Sequence, residues 1–458
     1  MAQKFETQRG FATSNPSALA RWAGSKMMTR LGSEASLRRR RRRLEAKRKR
    51  SGAPLRVEYF HQLNDGYSHL AAQLLRPLLE RYDVELRVHL VSEDAGRNLP
   101  EPDLLLALSR YDATLVAPHY GLRFPEPSVA PGREALERAS RLLAGVSQEA
   151  LPEKLVEVGE ALWTGGQQGA ALNGETDQVS GSKELDDCVA MGNARRAALG
   201  HYSGAMFYCE GEWYWGADRF YHLEHRLVEL GRAREPAAPP LCPRPEIEFG
   251  PLKDQGSLTL EIYPSLRSPY TAVIFETALR LAQETGVRAL VRPVLPMVMR
   301  GVPATFQKGR YIFTDAAREA RALAVDFGRI YDPIGDPVRR AYSLYPWAVE
   351  QGRGNELLAS FLRRAWCEAV NTNNDKGLKQ VVEAAGLSWE QAQLHLGEGG
   401  WEEVVESNRL AMYDFGSWGV PSFRLLDESG EAVLALWGQD RLWLFAREIQ
   451  RLLAQRAA

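Results

Sequence analysis

Two distant stretches of this chain follow one pattern. Ser203–Leu223 reads SGAMFYCEGEWYWGADRFYHL, and Ser417–Phe445 reads SWGVPSFRLLDESGEAVLALWGQDRLWLF. Each carries a Gly-led strand, a turn, a second strand and then Trp-Gly-x-Asp-Arg before a helix. A motif of that length in each half restricts the chain to folds that build one kind of unit twice. At 458 residues it is also too long for one ordinary core.

The segments upstream agree. LRVEYFHQL (Leu55–Leu63) and VELRVHLV (Val84–Val91) read as strands, and YSHLAAQLLRPLLERY between them has helical apolar spacing. The same order recurs as SLTLEIY (Ser257–Tyr263), TAVIFETALRLAQETG and RALVRPVL. Strand–helix–strand favours parallel pairing with the helix on one face. Between the halves, Arg234–Gly256 is proline-rich and reads as a stiff linker.

The expected organisation is an N-terminal arm over 1–54, a first domain over 55–233, the linker over 234–256 and a second domain over 257–458. The middle of each half reads as helical. In TDAAREARALAVDFG, Thr314 or Asp315 is the expected N-cap and Gly328 the stop. TGGQQGAALNGETDQVSGS in the first half reads as a flexible loop. Overlaying the halves sets Asn193, Gly204, Phe207 and the Trp215 run on Asn408, Gly419, Ser422 and the Trp437 run, a tandem duplication.

Composition limits function. The chain is 45% hydrophobic and 25% charged with zero formal net charge, so no overall field favours a nucleic-acid partner. It lacks an apolar run of about 18 residues, so no membrane span is expected. Cys188, Cys209, Cys242 and Cys367 are scattered, without a Cys-x-x-Cys pair or zinc-ligand spacing. No metal is expected, and the cysteine usage fits a reducing, cytoplasmic setting. LRRRRRRLEAKRKR (Leu37–Arg50) is the exception. It reads as a disordered solvated tail, a contact for nucleic acid or anionic lipid, or an Arg-rich presequence.

Three places could carry chemistry. In YPSLRSPY, Ser268 is placed as an N-cap with Pro269 in the first helical position, where helix dipole and free amides also favour an anion. In GVPSF, Pro421 heads a strand and marks an edge, a bulge or a special turn; a cis Val420–Pro421 bond would turn the Val420 backbone towards a ligand. Asp440 and Arg441 open the last helix, as an ion pair or as a binding group.

Taken together, Ser-Pro-Tyr at the helix start, a long helical insertion, Gly-Val-Pro-x-Phe, a hairpin and Trp-Gly-x-Asp-Arg resemble a known group. It is the DsbA-like thioredoxin-fold family, in the branch of 2-hydroxychromene-2-carboxylate isomerases and kappa-class glutathione transferases. VRPVL, KGRYIFTD and GQDRL add to the match. The resemblance implies an α/β fold of two tandem thioredoxin-like domains, each with an inserted helical subdomain. It implies glutathione as cosubstrate or cofactor, with Ser268 stabilising its thiolate. Val420 and Pro421 would present backbone to the cysteinyl unit, and Gln439 with Asp440 would hold the γ-glutamyl end. The implied activity is a glutathione-dependent isomerase or transferase acting on a small aromatic or keto-acid substrate.

Departures mark the first half. Asp65-Gly66 stands at the serine position and Met206 at the proline position, so this half reads as a degenerate copy, serving as an internal pseudo-dimer partner. In the second half, after the VRP strand, Lys308 is only a loose equivalent of the lysine in the isomerase pattern. The alternatives are a non-catalytic thioredoxin-fold binding protein and, more remotely, a DsbA-type disulfide oxidoreductase.

Overall fold

The computed structural model describes residues 15–93, 98–126, 130–165, 182–302 and 305–457. Of the expected flexible loop over 164–182, residues 166–181 lie outside the described residues. The chain forms two compact units, residues up to 37 with 246–458, and residues 38–245.

The N-terminal segment departs from the expected disordered arm. It forms α1 (Ala18–Gly32) and α2 (Glu34–Ser51). Arg21 on α1 is buried, and its guanidinium donates to the carbonyls of Asp332 (2.8 Å) and Ile334 (2.5 Å). Arg321 donates back to the Gly32 carbonyl at 3.0 Å. On α2, Arg41 makes a bidentate pair with Glu212 (2.6 and 3.0 Å), and Arg48 reaches Glu210 at 2.5 Å. The like-charge run is tolerated because acids distant in sequence meet one side of the helix.

In the unit 38–245, β1 (Arg56–His61) is followed by α3 (Gly66–Ala72), α4 (Leu75–Arg81) and β2 (Glu85–Leu90). Next come α5 (Pro102–Val116), α6 (Arg133–Ala144), α7 (Leu151–Thr164) and α8 (Ser182–Leu199). The chain returns as β3 (Met206–Cys209) and β4 (Glu212–Trp215), then α9 (Phe220–Glu229). The sheet order is β2-β1-β3-β4, with β1 and β2 parallel and the hairpin antiparallel. Its two-residue turn has Glu210 at φ 42° and Gly211 at φ 86°, the doubly positive pattern that suits a twisted hairpin.

The second unit repeats this plan. β5 (Thr259–Tyr263), α10 (Pro269–Thr285) and β6 (Arg288–Val291) precede the insertion α11 (Phe306–Ala322), α12 (Asp336–Ser343), α13 (Tyr345–Glu350), α14 (Gly354–Trp366), α15 (Asp375–Ala384), α16 (Trp389–His395) and α17 (Trp401–Asp414). β7 (Ser422–Leu426), β8 (Ala432–Trp437) and α18 (Leu442–Ala457) close it, in the order β6-β5-β7-β8. Each sheet is thioredoxin-like: a parallel pair, an antiparallel hairpin and a helical insertion between them. β1 and β5 each bury one glutamate. Glu261 receives Arg292 (2.7 Å), Arg424 (2.5 Å) and the Tyr263 hydroxyl (2.9 Å). Glu58 receives Arg195 and His89, which offset its burial and hold its carboxyl down at about 2.

Strand register corrects the overlay of the two halves. Tyr59 faces Phe207 and Ile262 faces Phe423, while Trp215 pairs with Met206 and Trp437 with Ser422. Phe207 therefore corresponds to Phe423, and Ala205, not Met206, stands where the second unit has Pro421. The Gly216 amide bonds the Ala205 carbonyl at 2.8 Å just as Gly438 bonds Pro421 at 3.0 Å. The second unit has one extra residue between its Gly and Phe, which spacing alone concealed. The start of α11 also differs from expectation: Thr305 caps it, and Asp315 lies mid-helix and buried.

Candidate active site

The turn after β5 is pinned before it reaches Ser268. The Trp366 indole donates to the Leu266 carbonyl at 3.1 Å, and Arg267 makes a bidentate pair with Asp332 at 2.9 and 3.0 Å. Ser268 then caps the 17-residue α10, its Oγ accepting from the Thr271 amide at 3.1 Å. Pro269 follows in the first helical position, where its missing N–H leaves no vacancy in the ladder. The same hydroxyl donates to the Val420 carbonyl at 3.2 Å. The Val420–Pro421 peptide is cis. Val420 is half-buried, and its own amide donates to no group among the described residues.

Gly438 links this turn to the remaining site residues. Its amide holds the Pro421 carbonyl, and its φ of 118° is one that a side chain would rarely adopt. A Cβ there would also lie 2.5 Å from the Asp440 carboxylate. Gln439 is 2% exposed and donates to Glu319 on α11 at 2.9 Å, while its Oε1 is buried without a partner. Asp440 keeps partial exposure, with the buried Arg441 guanidinium 3.7 Å away. The helical turn Gln439–Arg441 packs on α10, so Ser268, Val420, Pro421, Gln439 and Asp440 belong to one locality.

Residues 259–450 match the model of the DSBA-like thioredoxin domain. This stretch is a DSBA-like thioredoxin domain. Among solved structures, a 2-hydroxychromene-2-carboxylate isomerase is 18% identical, with a TM-score of 0.36 over 43% of this chain and 98% of its own. The cytosolic disulfide reductase DsbM of Pseudomonas aeruginosa is also 18% identical, with a TM-score of 0.33 over 42% of this chain and 99% of its own. No curated protein matches the chain.

The inserted helices add groups to the DSBA-like domain that motif reading did not single out. Asp315 on α11 accepts from the Tyr270 hydroxyl at 2.8 Å and pairs with Arg318. Asp315 and Glu319 are each 1% exposed on a face that otherwise buries Phe313, Ala316 and Ala320. The available signal was periodicity: these acids fall at i and i+4 within the apolar stripe, where a solvated acid does not belong. Lys308, in the first turn of α11, is pulled down to about 8 by burial.

The unit 38–245 places different chemistry at the corresponding points. Asp65 caps α3 and accepts from the Tyr67 and Ser68 amides (3.2 and 3.1 Å) and the Ser68 hydroxyl (2.7 Å). Burial pushes its carboxyl up to about 6 against those bonds. Tyr67 bonds Asp112 at 2.7 Å, as Tyr270 bonds Asp315. Asp218, the counterpart of Asp440, receives the Tyr120 hydroxyl at 3.0 Å. No cysteine stands at a motif position in either unit, and all four are free. Burial pushes the Cys209 and Cys367 thiols up to about 12, so they are protonated at neutral pH. Among the described residues no cluster of His, Cys, Asp or Glu could hold a metal ion, and no helix is long and apolar enough to cross a membrane.

Proposed function

We propose that the DSBA-like domain is a glutathione-dependent isomerase or transferase working in a reducing compartment. The observation that carries this reading is the Ser268 hydroxyl, held at a helix N-terminus 3.2 Å from the Val420 carbonyl, beside an uncommitted Val420 amide. Val420 thus offers one donor and one acceptor in sequence, which suits antiparallel pairing with a short peptide. Gln439 Oε1, buried without a partner, and the Asp440 carboxylate are both acceptors, and they suit the ammonium of a γ-glutamyl group better than an apolar ligand.

Bound glutathione would supply a thiol nucleophile able to add to an unsaturated aromatic or keto-acid substrate and then leave. The chain's part is binding and charge control. The Ser268 hydrogen now bonded to Val420 would turn to the sulfur, freeing the Val420 carbonyl for the ligand's amide. The positive end of α10 and this hydroxyl together favour the thiolate over the thiol. The serine-for-cysteine chemistry leaves no disulfide to exchange, which separates this reading from dithiol oxidoreduction.

The test is the ionisation of the bound thiol, followed by ultraviolet thiolate absorbance across pH. The wild type should lower the thiol pKa by about 1–2 units from its ordinary value near 8.5, and Ser268→Ala should abolish most of that shift. An identical titration in both proteins would remove Ser268 from the chemistry and favour a non-catalytic binding role.

A further inference from the structure

The outer face of α2 is a second feature built for a charged ligand. The helix carries ten Lys and Arg against two Glu, in a chain whose net charge is zero. The rest of the molecule therefore carries the balancing negative excess, and the positive field is concentrated here. Ser36, Leu37, Arg40, Arg41, Leu44, Glu45 and Arg48 are the half-buried positions, at helical spacing. Within the unit 38–245, Arg41 and Arg48 are tied to Glu212 and Glu210, and Leu44 lies against Gly211.

These anchors fix which side faces outward. Arg39, Arg42, Arg43, Lys47 and Arg50 are all exposed. The first four pair with no acid among the described residues, and Arg50 bonds only the Ala46 carbonyl of its own helix. They form a stripe about 16 Å long at 1.5 Å per residue. We propose that this stripe binds the phosphate backbone of a nucleic-acid duplex.

Two observations favour that partner over a lipid surface. The exposed face contains no large apolar residue, whereas a helix lying in a membrane interface needs an apolar side to insert. Leu37 and Leu44, which could have served, are turned inward. The stripe is also mostly arginine, whose planar fork matches phosphate oxygens in a bidentate manner. A duplex presents about one charge per 1.7 Å of its axis, dense enough to engage every side chain of the stripe. Nothing in the stripe distinguishes bases, so the binding is independent of sequence.

The experiment is fluorescence anisotropy of a short labelled DNA duplex of random sequence, titrated with the full chain at several salt concentrations. Five phosphate contacts give a slope of log K against log salt of about −4 to −5. Joint replacement Arg39→Gln, Arg42→Gln, Arg43→Gln and Arg50→Gln should lower affinity by about 100-fold at low salt and bring the slope near −1. The same four positions changed to Lys should retain most of the slope. Circular dichroism of both variants reports whether α2 persists. A wild-type slope near zero overturns the proposal whatever the variants do. So does tight binding to phosphatidylserine vesicles with none to the duplex, or a slope that survives the glutamine changes.

Discussion

Asp65 and Ser268 each lie seven positions beyond the buried glutamate of their central strand and cap the helix that follows, yet they differ in charge. Asp65 retains its proton in the folded chain to about pH 6, whereas its ordinary value is 3.8. As pH rises through that window the unfolded chain loses the proton first, so stability falls, by about 3 kcal/mol for a shift of this size. Below 3.8 both states are protonated and the penalty is absent. Asp65→Asn retains the cap, since asparagine is an equally good N-cap residue. Urea midpoints should show this variant gaining on the wild type as pH rises from 4 to 7; a constant difference would refute the assignment. The capping role of Ser268 was legible from Ser-Pro-Tyr alone. Its bond to Val420 was not, because that contact joins residues 152 positions apart.

At the level of elements, α2 rests on a few ion pairs rather than on an apolar face. Arg41→Ala would leave Glu212, only 6% exposed, without its bidentate partner. Breaking such a buried pair costs about 3 kcal/mol, whereas Arg42→Ala on the exposed side should change stability by less than about 0.5 kcal/mol. Equal urea midpoints for the two variants would mean that α2 is not held by Arg41. Strand–helix–strand order was readable because β1, α10 and their neighbours have clear periodicity and local stops. That the arginine run forms an ordered helix was not legible, because the acids that pair with it, Glu210, Glu212 and Glu229, come more than 150 residues later. Asp315 looked like a cap for a similar reason: only the folded chain brings Tyr270 to it.

At the level of the whole molecule, two units of the same topology carry unequal sites. The unit 38–245 closes its counterpart positions internally, with Asp65 bonded to Ser68 and Asp218 to Tyr120. The DSBA-like domain keeps an uncommitted amide on Val420, whose carbonyl accepts from Ser268, and an orphaned Gln439 oxygen. The two-unit plan was legible from the repeated Trp-Gly-x-Asp-Arg ending, but the one-residue offset that moves Ala205 opposite Pro421 needed the hydrogen-bond ladder. Substrate class follows from the ligand, so glutathione binding comes first. Isothermal titration of the full chain with glutathione tests it most directly. Saturable binding at millimolar or lower concentration, weakened about tenfold or more by Asp440→Ala, is the predicted result. No heat at millimolar glutathione, or binding indifferent to Asp440→Ala, would contradict the account.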